Sequence, residues 1–220
     1  MSQVTTSSRP AHLDPPARRR DQQKEQTRLD LSLAAFDLAR EHGLAGVRVP
    51  QIAAMTGVSP RTFNNYFASK EAAIVWPTTR RASRLAANLA DRPPQEPLAD
   101  ALAVAVASMY EQDEVDGLPS GWLHDFRALV AREPALHGEY LKAGAAAEVA
   151  LAVAIARRTG AEEGQLEPQV LAAVVAGAEQ AAVRYWVRQA KPSSTLPDVV
   201  RTAVGMAVRG IAVRGMAGGA

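Results

Sequence analysis

The chain has 220 residues, of which 47% are hydrophobic and only 5% are aromatic, and its formal net charge is +2. It contains no cysteine, which excludes disulfides and thiolate-bound metals. It also contains no apolar run of about eighteen residues, which is the length that a membrane-spanning helix needs. Abundant alanine and apolar residues spaced three or four apart predict an all-α fold. We therefore expect a cytoplasmic helical protein with no membrane partner, long enough for one small and one medium domain.

The N-terminal end is the basic part of the chain. Residues 1–71 hold ten Lys and Arg against seven Asp and Glu, whereas the remainder is nearly neutral. Residues 1–24 are rich in Ser, Thr, Pro and Arg with few apolar groups, so burial cannot offset the entropy of ordering them. They are predicted to form a flexible basic arm. Its basic run, Arg18 to Arg20, could follow the phosphates of a nucleic acid or could equally form a solvated tail.

The first helix is predicted to begin at Thr27, because Thr27 and Asp30 have the spacing of a capping box. Leu31 and Leu38 recur at a helical interval and contribute to one apolar face. Gly43 follows as a residue that can end a helix in the left-handed conformation. This helix is expected to pack on the two that come after it.

Residues 47–71 predict two short helices joined by a glycine turn. In the first of them Ile52, Ala53 and Met55 are expected on the inward face. Gly57 follows, and it can adopt a positive φ at no steric cost, so the chain can turn sharply there. Two helices in this arrangement can place the second one in the major groove of DNA.

The second short helix carries the side chains suited to DNA. Ser59 is predicted to cap it and Pro60 to be its first residue, while Phe63 and Phe67 lie four residues apart and should face inward. The outer face then presents Arg61, Thr62, Asn64, Asn65 and Tyr66. Asparagine can pair with adenine, arginine with guanine or a phosphate, and hydroxyl groups with backbone oxygens. Residues 25–69 are therefore predicted to form a helix-turn-helix DNA-binding domain.

A set of residues in this region resembles a known family. The set is Gly43, Leu44, Val49, Ile52, Ala53, Gly57, Val58, Ser59, Thr62, Tyr66, Phe67, Ser69, Lys70 and Glu71. It is similar to the N-terminal domain of the TetR family of transcriptional regulators over about residues 27–74. The resemblance implies an all-helical homodimer with three N-terminal helices for DNA and a larger C-terminal domain. Binding of a small ligand to that domain would cause the homodimer to release its palindromic operator.

Three positions depart from the family pattern. Arg48 stands where Ser or Thr usually caps a helix; it cannot cap, but it could touch a phosphate. Asn64 replaces a Tyr that often contacts phosphate, and Ala68 replaces a common Pro. The resemblance also implies a phosphate contact by Lys70. The candidate DNA-binding residues are thus Arg48, Ser59, Pro60, Arg61, Thr62, Asn64, Asn65, Tyr66 and Lys70.

Residues 70–220 are predicted to form the larger helical domain for effector binding and dimerisation. The expected helices cover residues 70–90, 97–110, 122–131, 134–158 and 168–189, with a loop at 113–121. Thr195 should cap a last helix that runs to about residue 213, before a glycine-rich frayed end.

The last two helices carry small and apolar residues at helical intervals. These are Val170, Val174, Ala178, Ala181, Ala182 and Tyr185, followed by Val200, Val204, Ala207 and Ile211. The family resemblance implies that residues of about 168–213 meet a second copy in a four-helix bundle. The same pattern would also suit a core within one chain.

A ligand cavity is expected among the helices between residues 74 and 188. Its candidate lining residues are the aromatic side chains Trp76, Tyr110, Trp122, Phe126, Tyr140 and Tyr185, although plain core packing is an alternative for each of them. Candidate polar contacts are His124, Asp125, Arg127, His137, Arg184 and Arg188. The expected effector is an unknown small molecule of apolar or amphipathic character. No cofactor or metal is expected.

The sequence therefore predicts a ligand-released repressor that binds double-stranded operator DNA. An activator of the same fold is an alternative, because the output depends on the position of the operator. An enzyme would need features that are missing here: the four histidines lack zinc-type spacing, and no phosphate loop or nucleophile elbow occurs. A helical adaptor would not need asparagines beside Arg61 on an exposed face.

Overall fold

The computed structural model of the chain describes residues 16–111, 117–189 and 192–210. These residues form nine α-helices and two 3₁₀ turns and contain no strand, so the predicted all-α fold is confirmed. The helices are α1 (Pro16–His42), α2 (Val49–Met55), α3 (Pro60–Tyr66), α4 (Lys70–Ala90), α5 (Leu98–Ala107), α6 (Trp122–Arg132), α7 (Pro134–Thr159), α8 (Leu166–Val187) and α9 (Leu196–Arg209). The 3₁₀ turns are Leu44–Gly46 and Ser108–Tyr110. We call α1 to α3 the head and α4 to α9 the body.

The first helix begins at Pro16, so the predicted start at Thr27 was wrong. The Thr27 hydroxyl donates to the carbonyl of Gln23 at 2.9 Å, inside the helix, and Asp30 accepts from Gln26. Residues 16–24 were predicted as part of a flexible arm but are helical, because their Ala, Arg, Gln and Lys residues are good helix formers. Residues 1–15 of the predicted arm lie outside the described residues.

The helix-turn-helix forms as the sequence predicts, with one exception. Gly57 has a φ of +70°, and the Ser59 hydroxyl accepts from the Thr62 amide at 3.0 Å to cap α3, which begins at Pro60. The expectation that Met55 faces inward was wrong, since its side chain is 56% exposed. Met55 is the last residue of α2, and Val58, after the turn, packs against the core.

Helices α4, α5, α7 and α9 begin close to their predicted starts, because each has a side-chain cap or a proline there. Ser69 caps α4 by accepting from the Ala72 amide at 3.0 Å, and Thr195 caps α9 by accepting from the Asp198 amide at 3.4 Å. Helix α4 packs on α1 and α7, and α9 packs on α5 and α8. Helix α9 ends at Arg209 and is followed by Gly210 with a φ of +85°, so the predicted end at about residue 213 was too late.

Replacement of the α3 cap is expected to destabilise the head. Ser59→Ala should lower the free energy of unfolding by about 1 kcal/mol, since it leaves a helix N–H without its acceptor. Chemical denaturation measures the change. Ser83→Ala is the matched control, because the Ser83 hydroxyl only donates to a carbonyl within α4. Equal stability of the two variants would contradict the cap.

Candidate nucleic-acid interface and buried cavity

Helix α3 has a buried aromatic side and an exposed polar side. Phe63 is fully buried, and its ring centre lies 5.8 Å from that of Phe67. Arg61, Asn64 and Asn65 are all exposed on the same helix. Burial of the two rings orients α3, so these three polar side chains are available to a partner outside the protein. This is the arrangement that the sequence predicts for a DNA-reading helix.

The other predicted contacts on α3 take part in the structure of the head. The hydroxyl groups of Ser59 and Thr62 lie 2.9 Å apart and hold the first turn of α3. Tyr66 is half-buried, and its ring centre lies 5.8 Å from the guanidinium of Arg28 on α1. Pro60 is exposed at the first helical position. Contacts of these residues with DNA stay predictions.

The two basic residues that flank the short helices both donate to backbone carbonyls near the first 3₁₀ turn. Arg48 donates to the carbonyls of Ala45 and Val47, and its own amide donates to the side chain of Gln51 at 2.8 Å. The Lys70 ammonium donates to the carbonyls of Leu44 at 2.6 Å and Val47 at 3.0 Å. Both side chains therefore shape the entry into α2. Their predicted phosphate contacts remain untested.

The same turn is also held from the body. The amide of Leu44 donates to the carboxylate of Glu133, which follows α6, at 3.2 Å. Arg40 of α1 forms an ion pair with Asp125 of α6 at 3.0 Å. We call the bonds of Leu44 to Lys70 and Glu133 the Leu44 clamp. Through it, the first residues of α4 and the end of α6 both contact the turn that leads into α2.

Inside the body, α4, α5, α6, α7 and α8 enclose a cavity of about 120 Å³. Its wall is mostly apolar and includes Leu85, Val106, Leu123, Phe126, Leu151 and Val175. Several polar residues interrupt this wall, and we call five of them the polar cluster: Arg81, Tyr110, Arg127, Tyr140 and Glu179. The body thus contains an apolar cavity with one concentrated polar region.

Direct contacts join the polar cluster in two groups, one of Arg81, Tyr110 and Glu179 and the other of Arg127 and Tyr140. The Tyr110 hydroxyl donates to the carboxyl of Glu179, and Arg127 donates to the Tyr140 hydroxyl at 2.6 Å. The guanidinium of Arg81, which is only 5% exposed, lies 5.6 Å from the centre of the Tyr110 ring. Burial raises the pKa of the Glu179 carboxyl, although the hydrogen bond from Tyr110 and the nearby arginines oppose the shift. Burial likewise raises the pKa of Tyr110 well above its usual range.

Three of the six predicted aromatic lining residues face the cavity, namely Tyr110, Phe126 and Tyr140. The other three do not line this cavity. Trp76 packs edge-on against Phe67, with ring centres 6.3 Å apart, and so belongs to the junction with the head. Trp122 is 3% exposed and stacks on Phe126 behind the cavity wall, at 4.8 Å. Tyr185 is 62% exposed on the outside of α8.

Among the polar candidates, only Arg127 lines the cavity. Asp125 is engaged with Arg40, while the others lie at the exposed surface: His124, His137, Arg184 and Arg188. Sequence reasoning missed Arg81 and Glu179. For Glu179 the signal was present, since it is the single charged residue in the largely apolar stretch 170–183 of α8.

Within residues 16–111, 117–189 and 192–210, no group of three or more His, Cys, Asp or Glu side chains could hold a metal ion. In the same part of the chain, no helix is long and apolar enough to span a membrane.

The chain matches two family models that together cover most of its length. The description "Bacterial regulatory proteins, tetR family" applies to residues 33–73, and "MftR C-terminal domain" to residues 96–212. The HTH-type transcriptional regulator TcmR of Streptomyces glaucescens is 30% identical over 175 residues, which are 78% of this chain and 77% of TcmR. MftR of Mycobacterium tuberculosis is 27% identical over 166 residues, covering 75% of this chain and 82% of MftR.

Solved structures share the fold. The fatty acid degradation regulator FadR from Bacillus halodurans aligns with a TM-score of 0.56 and 18% identity, over 86% of this chain and 96% of FadR. A helix-turn-helix head joined to a helical body with an internal cavity defines a ligand-responsive class of DNA-binding regulator. The chain belongs to the TetR family of bacterial transcriptional regulators. It is therefore a DNA-binding regulator and not an enzyme.

The raised pKa of Glu179 predicts a pH-dependent contribution to stability. Folding favours the protonated carboxyl, so this contribution is fully present below the ordinary pKa of 4.5 and is lost as the pH rises through the raised value. Glu179→Gln cannot titrate. The free energy of unfolding of this variant should therefore increase relative to that of the natural protein as the pH rises from about 4 through the raised pKa of Glu179.

Urea denaturation at several pH values measures the difference. Glu167→Gln is the matched control, because Glu167 is exposed in the first turn of the same helix. An unchanged pH dependence in Glu179→Gln would contradict the burial of this carboxyl.

Proposed function

We propose that the protein is a homodimeric repressor that reads a palindromic operator with α3 and leaves it when a small effector fills the body cavity. The observation that carries this proposal is the exposed face of α3, with Arg61, Asn64 and Asn65 opposite the buried Phe63. Asparagine and arginine can each form two hydrogen bonds to the edge of one base. The protein would act in the bacterial cytoplasm, where the operator is.

Asn65→Ala tests the role of α3. The variant should lose about 1–3 kcal/mol of affinity for the preferred operator if Asn65 makes a bidentate base contact. Its affinity for unrelated duplex DNA should stay the same, because that affinity depends on phosphate contacts. The operator is first selected from a random duplex pool with the natural protein, and binding is then measured by fluorescence anisotropy.

If both affinities fell together, Asn65 would have a structural role. If neither affinity changed, Asn65 would make no base contact. Arg132→Ala serves as the control, since Arg132 is exposed at the end of α6. Circular dichroism verifies that each variant remains helical.

The dimer would form through an apolar surface on α8 and α9. A shallow groove there is lined by Val174, Ala178, Ala181, Ala203, Met206 and Ala207. Around it, the large side chains of Val170, Tyr185 and Met206 are more than half exposed. A second copy related by a two-fold axis would cover these residues and place two copies of α3 on successive major grooves.

Three residues that the sequence analysis assigned to the dimer surface are buried within one chain. Ala182 is 3% exposed, and Val200 and Val204 are fully buried where α9 packs on α5 and α8. The position of Ile211 lies outside the described residues. The proposed surface therefore follows one face of α8 and the outer side of α9.

Val174→Glu is expected to yield a monomer, because two buried carboxylates would then face each other across the two-fold axis. Sedimentation velocity at micromolar concentration measures the mass. Val149→Glu is the control, since Val149 is 68% exposed on α7 and does not line the groove. If the chain without substitutions sedimented as a monomer, the result would contradict the proposed dimer.

Effector binding would reach the head through α4 and α6. Phe126 lines the cavity and stacks on Trp122, whose ring centre lies 5.9 Å from that of Phe36 on α1. The Leu44 clamp joins the same two body helices to the turn before α2. A ligand that favours a different position of α4 or α6 would thus shift the population of head orientations. The two α3 helices of a dimer would then no longer fit one operator.

A further inference from the structure

The polar cluster is built from the whole body, because each of five elements contributes one side chain to it. Arg81 comes from α4, Tyr110 from the second 3₁₀ turn, Arg127 from α6, Tyr140 from α7 and Glu179 from α8. A ligand that binds this cluster can therefore contact α4, the second 3₁₀ turn, α6, α7 and α8. Its chemistry can therefore be inferred from the charges that these residues present.

Arg127 is the charged donor that a ligand can use. Its guanidinium lies 5.0 Å from the centre of the Tyr140 ring and donates to the hydroxyl of that residue. Across the described part of the chain, Arg127 forms no ion pair. A guanidinium offers a planar fork of N–H donors that matches a carboxylate with two parallel hydrogen bonds. Stacking on Tyr140 holds this fork in the cavity wall.

The carboxyl groups of the wall do not favour a cationic ligand. Glu179 is engaged with Tyr110, and burial raises its pKa towards the neutral, protonated form. The remaining carboxylate, Glu148 on α7, is half-buried. A cation in the cavity would have to approach the guanidinium group of Arg127, whereas an anion would be attracted by it.

The rest of the cavity limits the ligand to a compact apolar body. Its volume of about 120 Å³ is small beside the roughly 300–1,000 Å³ of typical ligand pockets. The rings of Phe126, Tyr110 and Tyr140 provide flat surfaces, and the small residues Ala82 and Gly144 also line the cavity. A flat ring system is the shape that stacks on such a wall.

On the basis of the proposed function, we infer that the effector is a compact organic anion, with a flat apolar body and one carboxylate that Arg127 binds bidentately. The polar cluster is the anion-binding end of the cavity. Tyr140 orients the guanidinium, and the Glu179–Tyr110 pair can donate or accept one further hydrogen bond.

Three naphthalene probes with different head groups test the charge of the ligand. Isothermal titration calorimetry at pH 7 uses the full chain without DNA and compares 2-naphthoate, 2-naphthalenemethanol and 2-naphthylmethylammonium. We expect 2-naphthoate to bind at least tenfold more tightly than the other two. Tightest binding by the ammonium probe, equal binding by all three, or no binding of 2-naphthoate would overturn the inference.

Substitutions of Arg127 test which residue binds the carboxylate. Arg127→Gln should weaken 2-naphthoate binding at least tenfold, and Arg127→Lys should give an intermediate affinity, because lysine restores the charge without the fork. Arg132→Gln, on the same helix and exposed, should bind 2-naphthoate as the natural protein does. The melting temperature of each variant is compared with that of the natural protein to verify that the variant is folded. Unchanged affinity for 2-naphthoate in a folded Arg127→Gln or Arg127→Lys variant would refute the assignment.

A separate measurement distinguishes this inference from the proposed function. The same 2-naphthoate is added to the complex of the natural protein with its selected operator. Release of the operator supports both the ligand class and the coupling of cavity to head. Binding of 2-naphthoate through Arg127 without release supports the ligand class and contradicts the proposed coupling.

Discussion

The two peptide groups that flank the α-carbon of Leu44 connect the DNA-reading part of the molecule to its body. The amide donates to the carboxylate of Glu133 at 3.2 Å, and the carbonyl accepts from the ammonium of Lys70 at 2.6 Å. Both bonds involve a charged partner, which makes them stronger than bonds between neutral groups. Lys70 begins α4 and Glu133 follows α6. The two cavity helices therefore hold the turn before α2 through two different groups of Leu44, its carbonyl and its amide.

A line of packed rings provides a second connection between the same parts. Phe36 of α1 contacts Trp122, Trp122 stacks on Phe126, and Phe126 meets Tyr140 edge-on with ring centres 5.8 Å apart. The first three of these rings are almost completely buried. Packed interiors transmit displacement because they contain few voids to absorb it. The chain from Tyr140 to Phe36 therefore joins the polar cluster to α1, on which α2 packs.

Local sequence signals predicted the helices well, and they failed where the outcome depended on packing. Ser59, Ser69 and Thr195 cap the expected helices because a cap requires only a side chain and an amide two or three residues away. Thr27 matched the same pattern but lies inside α1, since the polar residues before it continue the helix. Met55 had the spacing of an inward residue, yet α2 ends there and leaves it exposed.

The sequence by itself determined the helix-turn-helix, its exposed Asn and Arg side chains, and the family, because these depend on residues close together in the chain. Only the tertiary structure decided which aromatic residues face the cavity: Tyr110 and Tyr140 do, whereas Trp122 lies behind the wall and Tyr185 on the surface. The residue type predicts that an aromatic ring will be buried, but it does not predict whether the ring will line the cavity or pack against other side chains. The polar cluster joins residues from five separate elements, and only the packing of those helices brings them into contact.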